Sequence, residues 1–544
     1  MSWIAWASIM CGGVCTGIFR AHVQALSRIV FFACRHQGIG DMCQFDAALS
    51  RLGASWQGEL PLFRHMTDDS REVCPGDLFV LRQGAQPLTQ ARAFEICAQA
   101  IEKGAAAIVA SPDFLLPSGV CVIALPEPEA HLLALAQGFY GEPGAEMKIV
   151  AVTGTNGKTS TACIIESLAQ SLGLRVGVMG TVSHRYPGYC EESINTTPGV
   201  LKLYRLLHGM ASAGCDMVVM EVSSHAVVQG RIQGLHFDAA VWLNLGTDHL
   251  DYHKTREAYA SAKARLFSEY LARSYVSGKR PVAVFNADDG DVSARMASCC
   301  AASWGGKVVS FSTHCGVGAD LAFESVIWQG GRWCGVAKWE GESQAFTLPL
   351  MGRYNLDNAA AGCAALMGLG FSPSGVIDAM SEMRGIPGRM QAVSDSPCIM
   401  IDFAHTPEAL ERSLCTVRET MPSQGRLIVV FGAGGDRDPS KRPMMGEAAS
   451  RGADYLIVTS DNPRTEDPET IVDAILTGVS GAVPCERIVD RREAIGRAVF
   501  LASDQDVVIV TGKGHEDYQI VGNERRPFDE PAIIGAFLSE RKQN

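Results

Sequence analysis

A glycine-bracketed turn between an apolar run and a helix-forming stretch constrains this chain more than any other feature. Ala151-Val-Thr-Gly-Thr-Asn-Gly-Lys-Thr-Ser-Thr161 follows the apolar run 149–152 and leads into the helical stretch 162–172. Gly154 and Gly157 permit a tight loop through Thr155 and Asn156 whose backbone N–H groups converge on an anion. Lys158 can reach terminal phosphates, and the Thr159 or Ser160 hydroxyl can meet Mg²⁺. The pattern predicts an ATP-handling loop at the edge of a parallel sheet.

The 544 residues suffice for about three or four domains, each with its own core. At 47% hydrophobic and 19% charged, the composition is that of an ordinary globular protein. A net charge of −12 argues against nucleic acid as main partner, though local Arg, Lys and helix N-termini can still hold an anionic nucleotide. The 18 cysteines are scattered without Cys-x-x-Cys modules, and most read as small buried hydrophobes in a reducing cytoplasm. Residues 2–19 carry no charge but are rich in Gly, Ser and Cys and lack a preceding positive segment. Residues 1–43 are therefore expected to be a poorly ordered extension, or the product of a start codon placed before Met42, with no membrane partner.

The remainder predicts an α/β protein of three domains. From 44 to 144, strand-like runs (Asp77-Leu-Phe-Val-Leu81, Ala106-Ala-Ile-Val-Ala110, Val120-Cys-Val-Ile-Ala124) alternate with helical stretches such as 91–103, and 142–146 reads as a linker. From 145 to 385 the alternation continues through Asp216-Met-Val-Val-Met220, Ala239-Ala-Val-Trp-Leu243 and Val282-Ala-Val-Phe285, which predicts a central parallel-sheet ATPase domain. From 386 to 544, runs at Arg426-Leu-Ile-Val-Val-Phe431, Tyr455-Leu-Ile-Val-Thr459 and Asp506-Val-Val-Ile-Val-Thr511 predict a Rossmann-like C-terminal domain.

Several strand ends carry chemistry. Glu221, in Met220-Glu-Val-Ser-Ser-His225, stands where parallel sheets hold ligands and is placed to reach a metal on the phosphates. Asn244-Leu-Gly-Thr-Asp-His-Leu-Asp-Tyr-His253 is dense in oxygen and imidazole ligands, though a lone His more often has a structural role. Lys263, on an expected helix over 256–270, would by default be a solvated surface lysine. In the third unit Gly432-Ala-Gly-Gly-Asp-Arg-Asp438, Asp461-Asn-Pro-Arg464 and Gly512-Lys-Gly-His-Glu516 each follow a strand, and together they suit a small zwitterion. Each alone is also explained by ordinary turn chemistry.

Taken in order, these motifs, with Asn195-Thr-Thr-Pro198, Asn355, Asn358 and Asp402-Phe-Ala-His-Thr-Pro407, resemble the Mur ligases of peptidoglycan synthesis, in particular the branch that adds a diamino acid. The likeness runs from about Thr67 to the C-terminus. It implies an ATP- and Mg²⁺-dependent, cytoplasmic and monomeric enzyme. Such an enzyme joins a diamino acid to UDP-N-acetylmuramoyl-L-alanyl-D-glutamate through an acyl phosphate. Lysine or ornithine as the amine, a folylpolyglutamate-synthase-like ligase and a nucleotide switch are the alternatives.

By the same resemblance, Gly154, Thr155, Asn156, Gly157, Lys158, Thr159, Ser160, Asn355, Asn358 and Arg389 bind ATP. Thr159, Glu221, His249 and a carbamylated Lys263 hold Mg²⁺, and Lys158, Lys263 and His249 are the catalytic groups. Ser70, Gln86, Asn195, Thr196, Thr197, Ser223, Gln229 and Arg231 contact the UDP-precursor. Arg437, Asp461, Asn462, Pro463, Arg464, Gly512 and Glu516 form the diamino-acid pocket, where Arg464 matches the second carboxylate of meso-diaminopimelate. Two positions depart from the pattern. Phe403 stands where a Tyr is usual, and Ala85-Gln-Pro-Leu88 lacks the usual His and Asp-Gly.

Overall fold

The alternation of apolar runs and helices resolves into sheets of four, eleven and six strands and a two-stranded ribbon among the described residues. The computed structural model describes residues 42–543 apart from 85–86, 302–304, 315–317, 330, 384 and 422–423. Gln86 and the extension up to residue 41 thus lie outside the described residues. The helix Met42–Arg51 begins inside the segment expected to precede the first domain, and Phe45 packs edge-on against Phe63 and Phe139.

In the first unit Met66–Thr67, Leu78–Val80, Ala107–Ala110 and Cys121–Ala124 pair in parallel in that order. The helix Gln90–Glu102 is started by Thr89, whose hydroxyl accepts from the Arg92 N–H. This unit does not have a wholly separate core. One apolar cluster runs from Phe45 and Leu78 through Ile149 and Met220 to Trp242, so the first and central units are packed as one body. The expected linker at 142–146 is likewise packed. It contains the 3₁₀ turn Pro143–Ala145, where a Cβ on Gly144 would stand 2.8 Å from Ile149 Cδ1.

The strand Lys148–Thr153 lies at the heart of the central sheet, between Ala239–Trp242 and Met217–Glu221, and pairs in parallel with both. Register sets Val152 beside Glu221 and Thr153 beside Trp242, so the phosphate loop, Glu221 and Asn244 emerge at one carboxyl edge. Helices Lys158–Ser171 and Tyr354–Gly368 cover one face, with Ile165 and Leu366 in a shared core. At one edge the sheet continues as an antiparallel meander, Leu321–Gln329, Arg332–Trp339 and Glu342–Leu348. At the other it ends in the hairpin Ser183–Tyr186 and Tyr189–Glu192. Continuous apolar runs do not reveal these strands, because a half-exposed antiparallel strand alternates polar and apolar residues.

The helix expected over 256–270 is α-helical only over Arg256–Arg265. It then widens into the π-helical turn Leu266–Leu271, where Phe267 stacks on Trp242 at 5.3 Å. Nor are most described cysteines buried. Cys97, Cys215, Cys299 and Cys363 are, whereas Cys74, Cys190 and Cys415 are exposed and the rest intermediate. Among the described residues no helix is long and apolar enough to cross a membrane.

The C-terminal sheet runs Gln391–Asp395, Cys398–Asp402, Val507–Thr511, Leu427–Phe431, Tyr455–Val458, Cys485–Arg487, parallel except for the first strand. Its two faces are closed by separate apolar clusters. At its ligand edge lies a fully buried ion pair, Arg491 Nε to Glu530 Oε1 at 2.7 Å. Arg491 also donates to Thr511 O at 2.8 Å and Ser460 O at 3.4 Å, and so pins two of the strand ends that carry chemistry. Burial pushes the Glu530 carboxyl above the usual carboxylate range, against the opposing pull of Arg491. Breaking such a pair from one side strands the other charge. Arg491→Met is therefore expected to cost about 3–5 kcal/mol in the unfolding of the C-terminal domain, and Arg491→Met with Glu530→Leu to recover more than half of that, read by urea denaturation.

Candidate active site

The phosphate loop is shaped by close approach. Gly157 has φ of +85°, and a Cβ there would lie 2.4 Å from Asn358 Oδ1. Asn244 clamps the loop from the neighbouring strand end: its Oδ1 accepts from Thr155 N (3.0 Å) and Asn156 N (2.9 Å), and its Nδ2 donates to Asn156 O (3.1 Å). The sequence placed Asn244 at the head of a ligand-rich stretch without assigning it this task. The Thr155 hydroxyl accepts from Gly246 N and Tyr259 OH, which ties the loop to the helix that carries Lys263.

Lys158 Nζ donates to Gly154 O at 2.8 Å and Thr155 O at 3.0 Å, and burial pulls its ammonium below the ordinary lysine value. Lys263 is not a surface lysine. It is 1% exposed, donates to the same Gly154 O at 2.9 Å, and lies 4.6 Å from the centre of the Tyr259 ring. Burial first, and then the charge of Lys158, drive its pKa well below that of a free lysine.

Glu221 is 1% exposed and faces the loop. Its Oε2 accepts from the hydroxyls of Thr159 (3.1 Å) and Thr181 (3.0 Å), and its Oε1 from Thr181 N (2.8 Å). Thr159 rather than the buried Ser160 therefore supplies the hydroxyl beside the carboxylate, and this pairing of hard oxygen donors suits Mg²⁺. His249 adopts a left-handed backbone, φ +53°, uncommon for a side-chain-bearing residue. Its ring meets that of His225 edge-on at 4.8 Å.

A cavity of about 530 Å³ extends from the loop to the C-terminal domain, lined by Lys158, Asn358, Arg389, Phe403, His405 and Arg412 among others. Asn358 Nδ2 donates to Asn355 Oδ1, and Asn355 Nδ2 to Met351 O. The Arg389 guanidinium lies 4.8 Å from the Phe403 ring centre. Phe403 also touches the His405 and His515 rings, and burial with the nearby Arg389 charge lowers the His515 pKa to about 4.

On the precursor side, Thr197 Oγ1 donates to Glu221 O and accepts from Ser223 N, while Thr196 Oγ1 meets Thr181 Oγ1 at 3.1 Å. The Ser223 hydroxyl caps the helix Ser224–Val228. Arg231 donates to Thr197 O and to Gln229 Oε1. Asn195, Gln229 and Arg231 line a second cavity of about 380 Å³ together with Asp69 and Arg71 of the first unit. Ser70 lies in that same turn, its carbonyl accepting from Lys103 Nζ.

The three C-terminal strand-end loops converge. Asn462 Nδ2 donates to Glu516 Oε2 at 2.7 Å, and the buried Lys513 donates to Asn462 Oδ1 at 2.9 Å and lies 3.6 Å from Asp461. Lys513 was visible in its motif but unassigned. Gly512 is held close to Asp461: a Cβ would lie 2.7 Å from its Oδ2. Gly435 packs on Pro463 O, and Arg437 and Arg464 both come to Gly434. Arg464 Nη1 donates to Gly435 O at 2.8 Å, whereas the neighbouring Glu466 is taken by Arg442. Among the described residues no carboxylate lies within ion-pair distance of the Arg464 guanidinium, although its charge helps to lower the pKa of the nearby Asp436. A cavity of about 930 Å³, lined by Thr159 on one side and Glu516 on the other, links this cluster to the phosphate loop.

Comparison with known proteins matches the model of the Mur ligase middle domain to residues 152–366, and that of the Mur ligase glutamate ligase domain to 388–514. A UDP-N-acetylmuramoyl-L-alanyl-D-glutamate--2,6-diaminopimelate ligase of Gloeobacter violaceus is 41% identical over 481 residues, 88% of this chain and 94% of that protein. The protein of that name from Geobacillus thermodenitrificans is 38% identical over 92% of this chain and 100% of its own length. A solved structure of a ligase with that name aligns with a TM-score of 0.62 at 32% identity, over 89% of this chain and 96% of the other. A MurF ligase from Thermotoga maritima, solved with ADP, shares the fold at 18% identity with a TM-score of 0.58, over 88% of this chain and 98% of that one. With a phosphate loop, a loop-facing carboxylate and a C-terminal strand-end cluster already in place, the chain belongs to the Mur ligase family.

Proposed function

We propose that the protein is an ATP-dependent ligase that joins meso-diaminopimelate to UDP-N-acetylmuramoyl-L-alanyl-D-glutamate in peptidoglycan synthesis. The observation that carries this reading is the position of Thr159. It borders both the cavity that holds Lys158, Asn358 and Arg389 and the larger cavity that reaches Glu516, so a phosphoryl donor and an amine meet at one place. The relatives named for this reaction at 38–41% identity support it. Use of ATP favours a cytoplasmic setting.

In this reading Lys158 and the loop N–H groups hold the ATP phosphates, while Asn355, Asn358 and Arg389 lie around the nucleotide. Asn195, Thr196, Thr197, Ser223, Gln229 and Arg231 orient the muramoyl-peptide, with Ser70 near the uridine. The D-glutamyl γ-carboxylate takes the γ-phosphoryl group and releases ADP. The amine then bonds to the acyl carbon and phosphate departs. Thr159, Glu221, His249 and Lys263 as a carbamate are the residues that would hold Mg²⁺, which neutralises charge on the transferring group when bound. Carbamylation requires an uncharged amine, and the buried Lys263 beside Lys158 is held toward that form. Asn462, Asp461 and Glu516 suit the ammonium end of the diamino acid, and Arg464 and Arg437 its far carboxylate.

Lys158→Ala is expected to lower kcat by about 10²–10³-fold with the circular dichroism spectrum unchanged, because the side chain contacts the loop's own carbonyls and not the core. Incubation with ¹³C-bicarbonate should give a carbamate carbon resonance that Lys263→Ala abolishes. The same substitution should remove most activity, with partial rescue by a small carboxylate; full activity of the alanine variant would refute the role. Phosphate release across meso-diaminopimelate, lysine and ornithine tests substrate identity. The unmutated enzyme should favour meso-diaminopimelate by about 10⁴-fold, because lysine leaves Arg464 unpaired, and Arg464→Ala should remove most of that preference.

A further inference from the structure

One carboxylate of the central sheet is shared by two donors of the C-terminal domain. Glu192 ends the edge hairpin, and Tyr518 and Arg525 lie on the two strands of the ribbon Tyr518–Val521 and Glu524–Pro527. Tyr518 OH donates to Glu192 Oε1 at 2.5 Å, and Arg525 Nη1 donates to Oε2 at 2.8 Å. The Arg525 guanidinium lies 3.4 Å from the centre of the Tyr518 ring, so all three groups form one unit.

Their places in the chain give the contact its meaning. Glu192 directly precedes Ser193, whose hydroxyl donates to Gly180 O, and lies just upstream of Thr196, which meets Thr181 and through it Glu221. Tyr518 follows Glu516, which accepts from Asn462 and Lys513. The loop beside the phosphoryl site and the turn beside the amine site are thus tied by a single bridge. Glu192, Tyr518 and Arg525 all line the cavity of about 930 Å³ that joins those sites. Glu192 and Arg525 are about half exposed, with side-chain accessibilities of 54% and 53%. A pair so exposed is weak enough to open in each turnover, while the buried Tyr518 gives it one geometry.

We propose that Glu192, Tyr518 and Arg525 are positioning residues that latch the C-terminal domain onto the central domain, holding the amine over the acyl phosphate and keeping water out. This rests on the ligase reading above. With the latch shut, the amine nitrogen bonds to the acyl carbon, the carbon–oxygen bond to phosphate breaks, and the displaced amine proton passes to phosphate or solvent. With it open, water oxygen bonds to the same carbon, the same bond breaks, and carboxylate and phosphate are released without amide.

The test measures phosphate and amide together in the full-length enzyme. Glu192→Gln is expected to raise KM for the diamino acid by about 10-fold, leave KM for ATP within about two-fold, and release more than one phosphate per amide. Tyr518→Phe should shift both readouts in the same direction, and Glu192→Arg combined with Arg525→Glu should return the ratio toward one where Glu192→Arg alone does not. Folded Glu192→Gln and Tyr518→Phe enzymes that keep one phosphate per amide and an unchanged diamino-acid KM overturn the latch. So does a charge-exchanged pair that restores nothing. An unmutated enzyme that forms no amide at all overturns the ligase reading instead.

Discussion

Two lysine ammonium groups converge on one carbonyl oxygen, Gly154 O, and much of the site is arranged around that point. Like charges in a shared buried space raise each other's cost. The arrangement is sustained because Lys158 also reaches Thr155 O, and because Lys263 is driven toward its neutral form. An arriving polyphosphate relieves Lys158, and a carbamate on Lys263 would turn a repelling cation into an attracting anion. The loop can present this carbonyl only because Gly154 and Gly157 take left-handed or extended turns and Asn244 fixes the peptide units between them.

The same economy recurs at the other strand ends. Glu221 is buried but fully engaged by Thr159 and Thr181, so it meets the loop as an oriented carboxylate instead of a stranded charge. In the C-terminal domain Lys513 serves Asn462, Glu516 and Asp461 from a fully buried position, and Arg491 with Glu530 pins the strands behind them. Both edges thus follow one plan, in which polar groups reaching toward ligand are supported from below by buried hydrogen-bonded charges. Phe403 joins the two halves. It lies between Arg389 of the nucleotide cavity and His515 of the amine-side turn, and this packing asks for a ring and not for a hydroxyl.

How much of this was legible depended on the range of the interaction. The loop 154–160, the strand before it, Glu221 and the Asp461–Arg464 and Gly512–Glu516 motifs are local patterns, and each lies at a sheet edge as its strand predicts. The antiparallel meander over Leu321–Leu348 and the edge hairpin ending at Glu192 were missed because their alternating residues lack a continuous apolar run. Of the expected site residues, Gln86 lies outside those described, while Asn156, Asn195, Gln229, His249 and Arg437 are exposed.

The sequence by itself determined which chemical groups the chain possesses and the order in which its strands present them, because turn glycines, caps and apolar periods act between near neighbours. Tertiary structure alone decided what those groups experience. Lys263 reads as a surface lysine until residues more than a hundred positions away bury it against Gly154 O. Arg464 donates to Gly435 O only in the folded chain, where Arg442 takes the neighbouring Glu466. Glu192 lies in no sequence motif, and only the fold brings Tyr518 and Arg525 across to it. Burial and charge pairing are set by what lies within a few ångströms in space, and no local pattern carries that information.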